Sequence, residues 1–504
     1  TTNNILGLNT LYKESDKLTF SFDLSYSDLD FFQDLTQITA RLDGRDYDNS
    51  AISLDLRGEL PQFGLPDDIL DPTAFGLRSA AKRHIRTNGY NYASRLDVEY
   101  ELNKKVKFSL GARSAITDFE AREAQANADD IYGDYTDEQL QEFVDLISYD
   151  NYYIPGDFLG GGTGLDQWIN IPGNAVLDLT PGFNSLNGGS IFDFDKPIDQ
   201  LVSQEGDLQF NPAKSYGAIE KTFSTYAQVD ARTTVFNIPV VLNFGVRAIN
   251  TINESRGFTG VEIVDPIAET SGVVSDAIYH EVENSRWDVL PSFNANFKIK
   301  RNFNLRFSAA KGASRPKYRD MMPSNEVEYL DPTSEIFNPS SPDYEPNLGT
   351  SLYRGTIKSG NPKLEPYSAW MYDTTFELYS RNGGAIIGSI FYKDIRNYIG
   401  RQTLNDQAYP GIEALGIAIP AGQEDLLFDI STPINITNAQ LYGFEIGFNH
   451  HFTFLPGFAS GFGLRANYSF VESNFDGAVG DATNGFPGTS KHNFNTVMYY
   501  EKYG

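Results

Sequence analysis

The chain has 504 residues, 40% hydrophobic and 13% aromatic, with 67 acidic and 40 basic side chains giving a net charge of −27. So acidic a chain lacks the Lys/Arg surface that neutralises phosphates, which excludes a nucleic-acid partner. No run of 18 apolar residues occurs and cysteine is absent, which excludes helical membrane spans, disulfides and thiolate metal sites while leaving membrane-spanning β-strands open.

Abundant Phe (36) and Tyr (29), scarce Met (4) and frequent Gly (44) and Pro (24) favour strands over helices. Residues 1–30 lack the basic, apolar, small-residue order of a signal peptide, so the sequence is expected to be mature or a fragment. Period-two alternation begins with Leu18, Phe20, Phe22, Leu24 and Tyr26 on one face and Thr19, Ser21, Asp23 and Ser25 on the other. It recurs at Leu96, Val98, Tyr100 and Leu102 against Arg95, Asp97, Glu99 and Glu101, and at Val106, Phe108, Leu110 and Ala112 against Lys107, Ser109, Gly111 and Arg113, with Asn103 and Lys104 as a tight turn. Further copies start near Ile238, Trp287, Phe303, Phe444 and Phe462. Pro291 counts against a strand over 286–299 unless a bulge accommodates it.

Short turns near 13–17, 103–105, 233–238, 300–302, 381–384 and 454–459 alternate with long segments at 29–87, 117–215, 255–277, 316–366, 399–432 and 475–490. That rhythm suits an up-and-down barrel crossing a bilayer, with short turns on one side and long loops on the other; a β-sandwich or propeller shows no such asymmetry. About thirteen spanning strands fit this template, with the apolar face toward lipid and the polar face toward the lumen. An odd count in one bacterial chain implies a partial barrel. Segment 117–215 holds nineteen acidic residues against Arg122, Lys196 and Lys214, and Leu140, Phe143, Val144 and Ile147 after Thr136 and Gln139 predict a short amphipathic helix within it.

Residues 360–366 read GNPKLEP, followed by alternating Trp370, Tyr372, Thr374 and Phe376, an Asn382-Gly383 turn and a returning strand ending Phe391-Tyr392-Lys393-Asp394-Ile395. Ser314-Arg315-Pro316, Asn438-Ala439 before Tyr442-Gly443-Phe444-Glu445, Leu455-Pro456-Gly457 and Tyr500-Glu501-Lys502-Tyr503-Gly504 come in matching order. Together these resemble the TonB-dependent outer-membrane receptor family, most clearly from residue 286 onward. The resemblance implies an all-β, antiparallel up-and-down transmembrane barrel of about 22 strands, of which this chain supplies about 13 over residues 1–504. It implies an N-terminal plug, expected outside this sequence, through which the TonB complex acts, and it implies outer-membrane lipid and a small nutrient ligand as the remaining partners.

His84, His280, His450, His451 and His492 have no metal-ligand spacing, and His450 and His451 should leave a strand on opposite faces. Gly160 to Gly164 lacks the Gly-Lys-Ser/Thr of a phosphate-cradling loop. Asp193 and Asp195 are more simply solvated charge than catalytic groups, although loop carboxylates of this kind can hold Ca²⁺; no other cofactor and no enzyme activity are expected.

The expected function is nutrient capture and TonB-driven uptake, with a ferric siderophore or haem receptor and a passive porin or adhesin-like barrel as alternatives. Within 117–215, Tyr132, Tyr135, Tyr149, Tyr152, Tyr153 and Trp168 offer rings for stacking, and Asp150, Asp157 and Asp166 offer hydroxyl acceptors. A segment with 16 excess negative charges disfavours anionic chelates and favours an oligosaccharide, the class to which the family resemblance also leans.

Overall fold

A computed structural model describes residues 1–42, 53–55, 62–64, 75–129, 152–153, 168–169, 209–265, 270–330, 339–341, 354–380, 383–408, 427–475 and 489–502. In chain order the strands are β1 (Thr2–Lys13), β2 (Leu18–Leu42), β3 (Ser53–Asp55), β4 (Gln62–Gly64), β5 (Phe75–Asn103), β6 (Val106–Asp129), β7 (Tyr152–Tyr153), β8 (Trp168–Ile169), β9 (Gln209–Phe210) and β10 (Tyr216–Val235). They continue as β11 (Ile238–Asp265), β12 (Thr270–Lys300), β13 (Phe303–Ser314), β14 (Asn325–Leu330), β15 (Arg354–Ser359), β16 (Tyr367–Tyr379), β17 (Ala385–Ala408), β18 (Leu427–His451), β19 (Phe462–Phe475) and β20 (His492–Tyr500).

Thirteen of these form an antiparallel meander, β1-β2-β5-β6-β10-β11-β12-β13-β16-β17-β18-β19-β20, the number that alternation predicts. The short turns fall where expected. Asn103 Oδ1 accepts the backbone N–H of Lys105 at 2.8 Å and of Val106 at 3.1 Å, closing one turn. Phe236 and Asn237, at φ 48° and 62°, close a two-residue hairpin between paired Val235 and Ile238.

Register sorts the two faces. Phe22, Leu96, Ala112, Thr225, Ala248 and Val289 lie in one cross-strand row, and Ser21, Asp97, Gly111, Tyr226 and Arg247 lie in the next. The first row belongs to an outer apolar face on which Leu110 is 55% and Trp287 is 65% exposed. Aromatic pairs such as Tyr12–Phe20 and Phe462–Tyr500 mark its turn-side edge, and Tyr26–Tyr92 and Tyr372–Tyr392 its far edge, the two girdles of a bilayer-spanning band. The second row is the lumen wall. There Asp97, only 6% exposed, accepts Tyr226 Oη at 2.7 Å and pairs with Arg95 at 2.6 Å, while Arg306 pairs with Glu377 at 3.0 Å.

Parts of the long segments are strand. β2, β5, β6, β11, β12, β17 and β18 run through 29–42, 75–87, 117–129, 255–265, 270–277, 399–408 and 427–432, so the expected loop bounds were too wide. A strand needs about 9–11 residues to span the core, whereas β12 has 31, so the wall projects well beyond the bilayer. Above the far girdle the outer face turns polar, with Asp28, Tyr90, Asp118, Ile219 and Glu254 in one row, because no lipid demands apolar side chains there. Pro291 sits inside β12 opposite Val246 with no bulge; the β12–β13 ladder begins at Ser292, leaving an open edge where a missing N–H costs nothing. The helix expected over 136–147 and the pair Asp193 and Asp195 lie outside the described residues.

Candidate functional site

The connection from β13 to β16 builds a folded unit across the lumen. It leaves the wall at Arg315, whose guanidinium pairs with Glu220 on the inner face of β10; the Glu220 side chain is 2% exposed. A single helical turn, Tyr318–Met321, buries Met321 against the inner face of β11, where Asn253 Nδ2 donates to the Met321 sulfur at 3.4 Å. Ser324 Oγ accepts the Phe258 N–H at 3.0 Å. Then β14 adds in parallel to β11, β15 returns antiparallel to β14, and β15 adds in parallel to β18. Hydrogen bonding therefore closes an eight-strand cycle, β11-β12-β13-β16-β17-β18-β15-β14, within an otherwise open meander.

The cycle is locked by an apolar nucleus. Met321, Ile357, Leu364 and Phe428 are the largest fully buried side chains among the described residues, and Val327 is buried with them. Gly355 makes room for the Phe428 ring, and Gly360 lets the chain pass against the Met322 carbonyl; a β-carbon at either would collide. GNPKLEP is the strap beneath this unit. Asn361 Nδ2 donates to the Pro433 carbonyl at 3.0 Å, the Pro362 carbonyl accepts Asn284 Nδ2 at 3.4 Å, and Asn435 Oδ1 accepts the Glu365 N–H at 2.9 Å. The motif thus ties β12 to β18 rather than merely leading into a hairpin.

Where the unit meets β6 and β10, chemistry gathers on the lumen side, above the bilayer-spanning band. Tyr318 stacks on Phe119 at 5.8 Å with an interplanar angle of 18°, and Phe119 meets Tyr216 at 5.8 Å. Lys214, at the end of a 3-10 turn capped by Asn211, pairs with Glu326 of β14 at 2.7 Å. Burial pushes the Glu123 carboxyl above its ordinary range, while Arg83, Lys214 and Arg319 pull it back down. Ser359, Asn325, Thr259 and His280 form a polar chain with links of 2.7, 3.0 and 2.8 Å, and burial lowers the His280 pKa. Rings beside fixed charges suit ligand binding. Among the described residues no group of three His, Asp or Glu is placed to hold a metal ion.

Of the residues singled out by sequence, Tyr132, Tyr135, Tyr149, Asp150, Asp157 and Asp166 lie outside the described residues. Tyr152, Tyr153 and Trp168 lie in β7 and β8, which pair so that Tyr153 faces Trp168 and Tyr152 faces Ile169 across the ladder. Phe119, Tyr216, Tyr318 and Arg319 were missed. Basic residues at every second position, Arg315, Lys317 and Arg319, in so acidic a chain were a signal that could have found part of this site. His450 and His451 leave β18 on opposite faces, the first against Phe454 and the second against Tyr499.

A depression of about 530 Å³ lies on the outer apolar face between Leu6, Leu24, Tyr92 and Ile116, away from the lumen chemistry. Comparison with known proteins matches residues 12–504 to the family described as TonB dependent receptor-like, beta-barrel. Solved structures similar to the chain include the ferric yersiniabactin uptake receptor FyuA from Yersinia pestis, at 9% identity over 98% of this chain and 46% of that one, TM-score 0.42. Others are the siderophore receptor PiuA from Acinetobacter baumannii (12%, 99% and 52%, TM-score 0.45) and the ferric-catecholate import receptor Fiu from K12 E. coli (12%, 99% and 51%, TM-score 0.48). The chain spans about half the length of these structures. No curated protein sequence matches it.

Proposed function

Because the chain belongs to the TonB-dependent receptor-like β-barrel family, whose members sit in the outer membrane, we propose that it forms the barrel wall of a receptor for active nutrient uptake. The observation that carries this is the two-faced thirteen-strand meander whose lumen is crossed by a folded unit bearing rings and charges. In the whole receptor the plug closes this lumen and the TonB complex moves it. A passive porin needs neither plug nor coupling. Uptake of radiolabelled cargo into cells carrying the full-length receptor, with and without functional TonB, separates the two: saturable uptake lost without TonB supports the receptor, and uptake indifferent to TonB supports a pore.

The cargo we favour is an oligosaccharide. Support comes from aromatic platforms, both the Phe119, Tyr216 and Tyr318 group and the tyrosines and Trp168 of segment 117–215, beside carboxylates able to accept hydroxyl protons. The acid excess of that segment opposes entry of highly anionic chelates by long-range repulsion. A ferric chelate remains the second reading, favoured by the exposed cations of residues 315–319.

A further inference from the structure

The segment Arg315-Pro316-Lys317-Tyr318-Arg319 places three cations in five residues of a chain whose net charge is −27. All three cations are exposed, and the segment is anchored at both ends. Upstream, Arg315 pairs with buried Glu220. Downstream, Met321 is buried, the Asn361 N–H donates to the Asp320 carbonyl at 2.8 Å, and the Gly360 N–H donates to the Ser324 carbonyl at 3.0 Å. Between these anchors Tyr318 lies stacked on Phe119, so the backbone flanking the ring is held in place.

The surrounding acids face cations. Glu220 is held by Arg315 and Glu326 by Lys214, and burial raises the Glu123 pKa while Arg83, Lys214 and Arg319 lower it. Arg83 faces Glu123 from β5. Asp320 is the acid that directly follows the segment. Among the described residues, Lys317 and Arg319 form no salt bridge with a carboxylate, and the one carboxyl that Arg319 is shown to act on at longer range is Glu123. Charges separated by more than roughly 8 Å are largely screened at physiological salt, so the cations within the segment act most strongly on a group docked against it.

We propose that Lys317 and Arg319, flanking the Tyr318–Phe119 stack, form a subsite for a cargo that carries a carboxylate beside a flat ring or sugar face. The guanidinium of Arg319 engages the carboxylate through paired N–H donors, Lys317 adds a point charge, and Tyr318 supports the ring. Two sources offer that chemistry: a uronate oligosaccharide and a ferric polycarboxylate chelate. The inference rests on the uptake reading and deepens it by naming the charged group at this site.

The test is binding by the purified full-length receptor, by calorimetry, of trigalacturonate, of neutral trigalactose and of ferric citrate, each at low and high salt. The variants are K317Q/R319Q and R319K, with K317Q alone to carry the comparison if the double variant fails to fold. The expected result is at least a tenfold loss for one anionic probe in K317Q/R319Q, a loss several-fold smaller in R319K, and salt-sensitive binding by the wild type; whichever anionic probe shows this names the source. Less than twofold loss for both anionic probes, an equal loss for trigalactose, or no binding of either anionic probe to the wild type overturns the proposal. TonB-dependent uptake is measured separately in cells, so its failure would sink the transport reading without touching the binding result.

Discussion

Gly111 lies between Asp97 and Tyr226 on the lumen wall, and having no side chain it lets the tyrosine ring cross β6 and donate to the aspartate. A β-carbon there would collide with both partners, so Gly111→Val should cost about 1–3 kcal/mol through displacement of the ring and loss of the bond to buried Asp97. Urea unfolding of the detergent-solubilised receptor measures this; a change within about 0.5 kcal/mol would mean that the wall yields at no cost. On the opposite face the depth of a residue decides its sensitivity. Phe108 is the third residue of β6, close to the turn-side girdle, whereas Leu110 lies nearer mid-bilayer and is 55% exposed. Leu110→Arg should cost about 2–4 kcal/mol and Phe108→Arg distinctly less, since the penalty falls toward the interfaces. Equal costs would place the band elsewhere.

At the scale of elements, the β14–β15 hairpin stands apart from the meander because it is held by a compact nucleus as well as by ladders. Ile357 is fully buried, so Ile357→Ala should loosen the hairpin by about 2–5 kcal/mol. Hydrogen exchange should then quicken in β14 and β15 while β10 keeps its protection. If all strands quicken together, the unit is not a separate cooperative element. This hairpin also shows where sequence reasoning stops. Thirteen spans, their faces and their short turns were legible because lipid on one side and water on the other impose strict alternation on Leu96, Val98 and Tyr100 against Arg95, Asp97 and Glu99. Above the girdle that constraint ends, so strand residues such as Asp118 and Glu120 read as loop. The parallel additions to β11 and β18 join residues far apart in the chain, and Met321, Val327, Ile357 and Phe428 share no period that would announce a common nucleus. Arg315, noted only as part of a short motif, acquires its role from Glu220, 95 positions away.

At the scale of the whole molecule, segment 117–215 is partly wall. β6 continues to Asp129 and β9 pairs with it at Ala124–Phe210, so an excision that spares the ladder must stay within 131–207. In the full-length receptor that excision should leave a folded, membrane-inserted barrel and weaken cargo binding, because the strands pair with their neighbours rather than with the excised residues. Unchanged affinity would reduce the segment to a surface shield and remove Tyr152, Tyr153 and Trp168 from the candidate site.

The claim on which all of this rests is that the meander spans the outer membrane with its apolar face to lipid. Single cysteines placed at positions 95 to 100 of the full-length receptor, labelled in intact outer membranes, test it most directly. Positions 96, 98 and 100 should take up a lipid-soluble maleimide and resist a charged one, and positions 95, 97 and 99 should show no lipid labelling. Lipid-soluble label at 95, 97 and 99 with none at 96, 98 and 100 would turn the wall inside out and contradict the account.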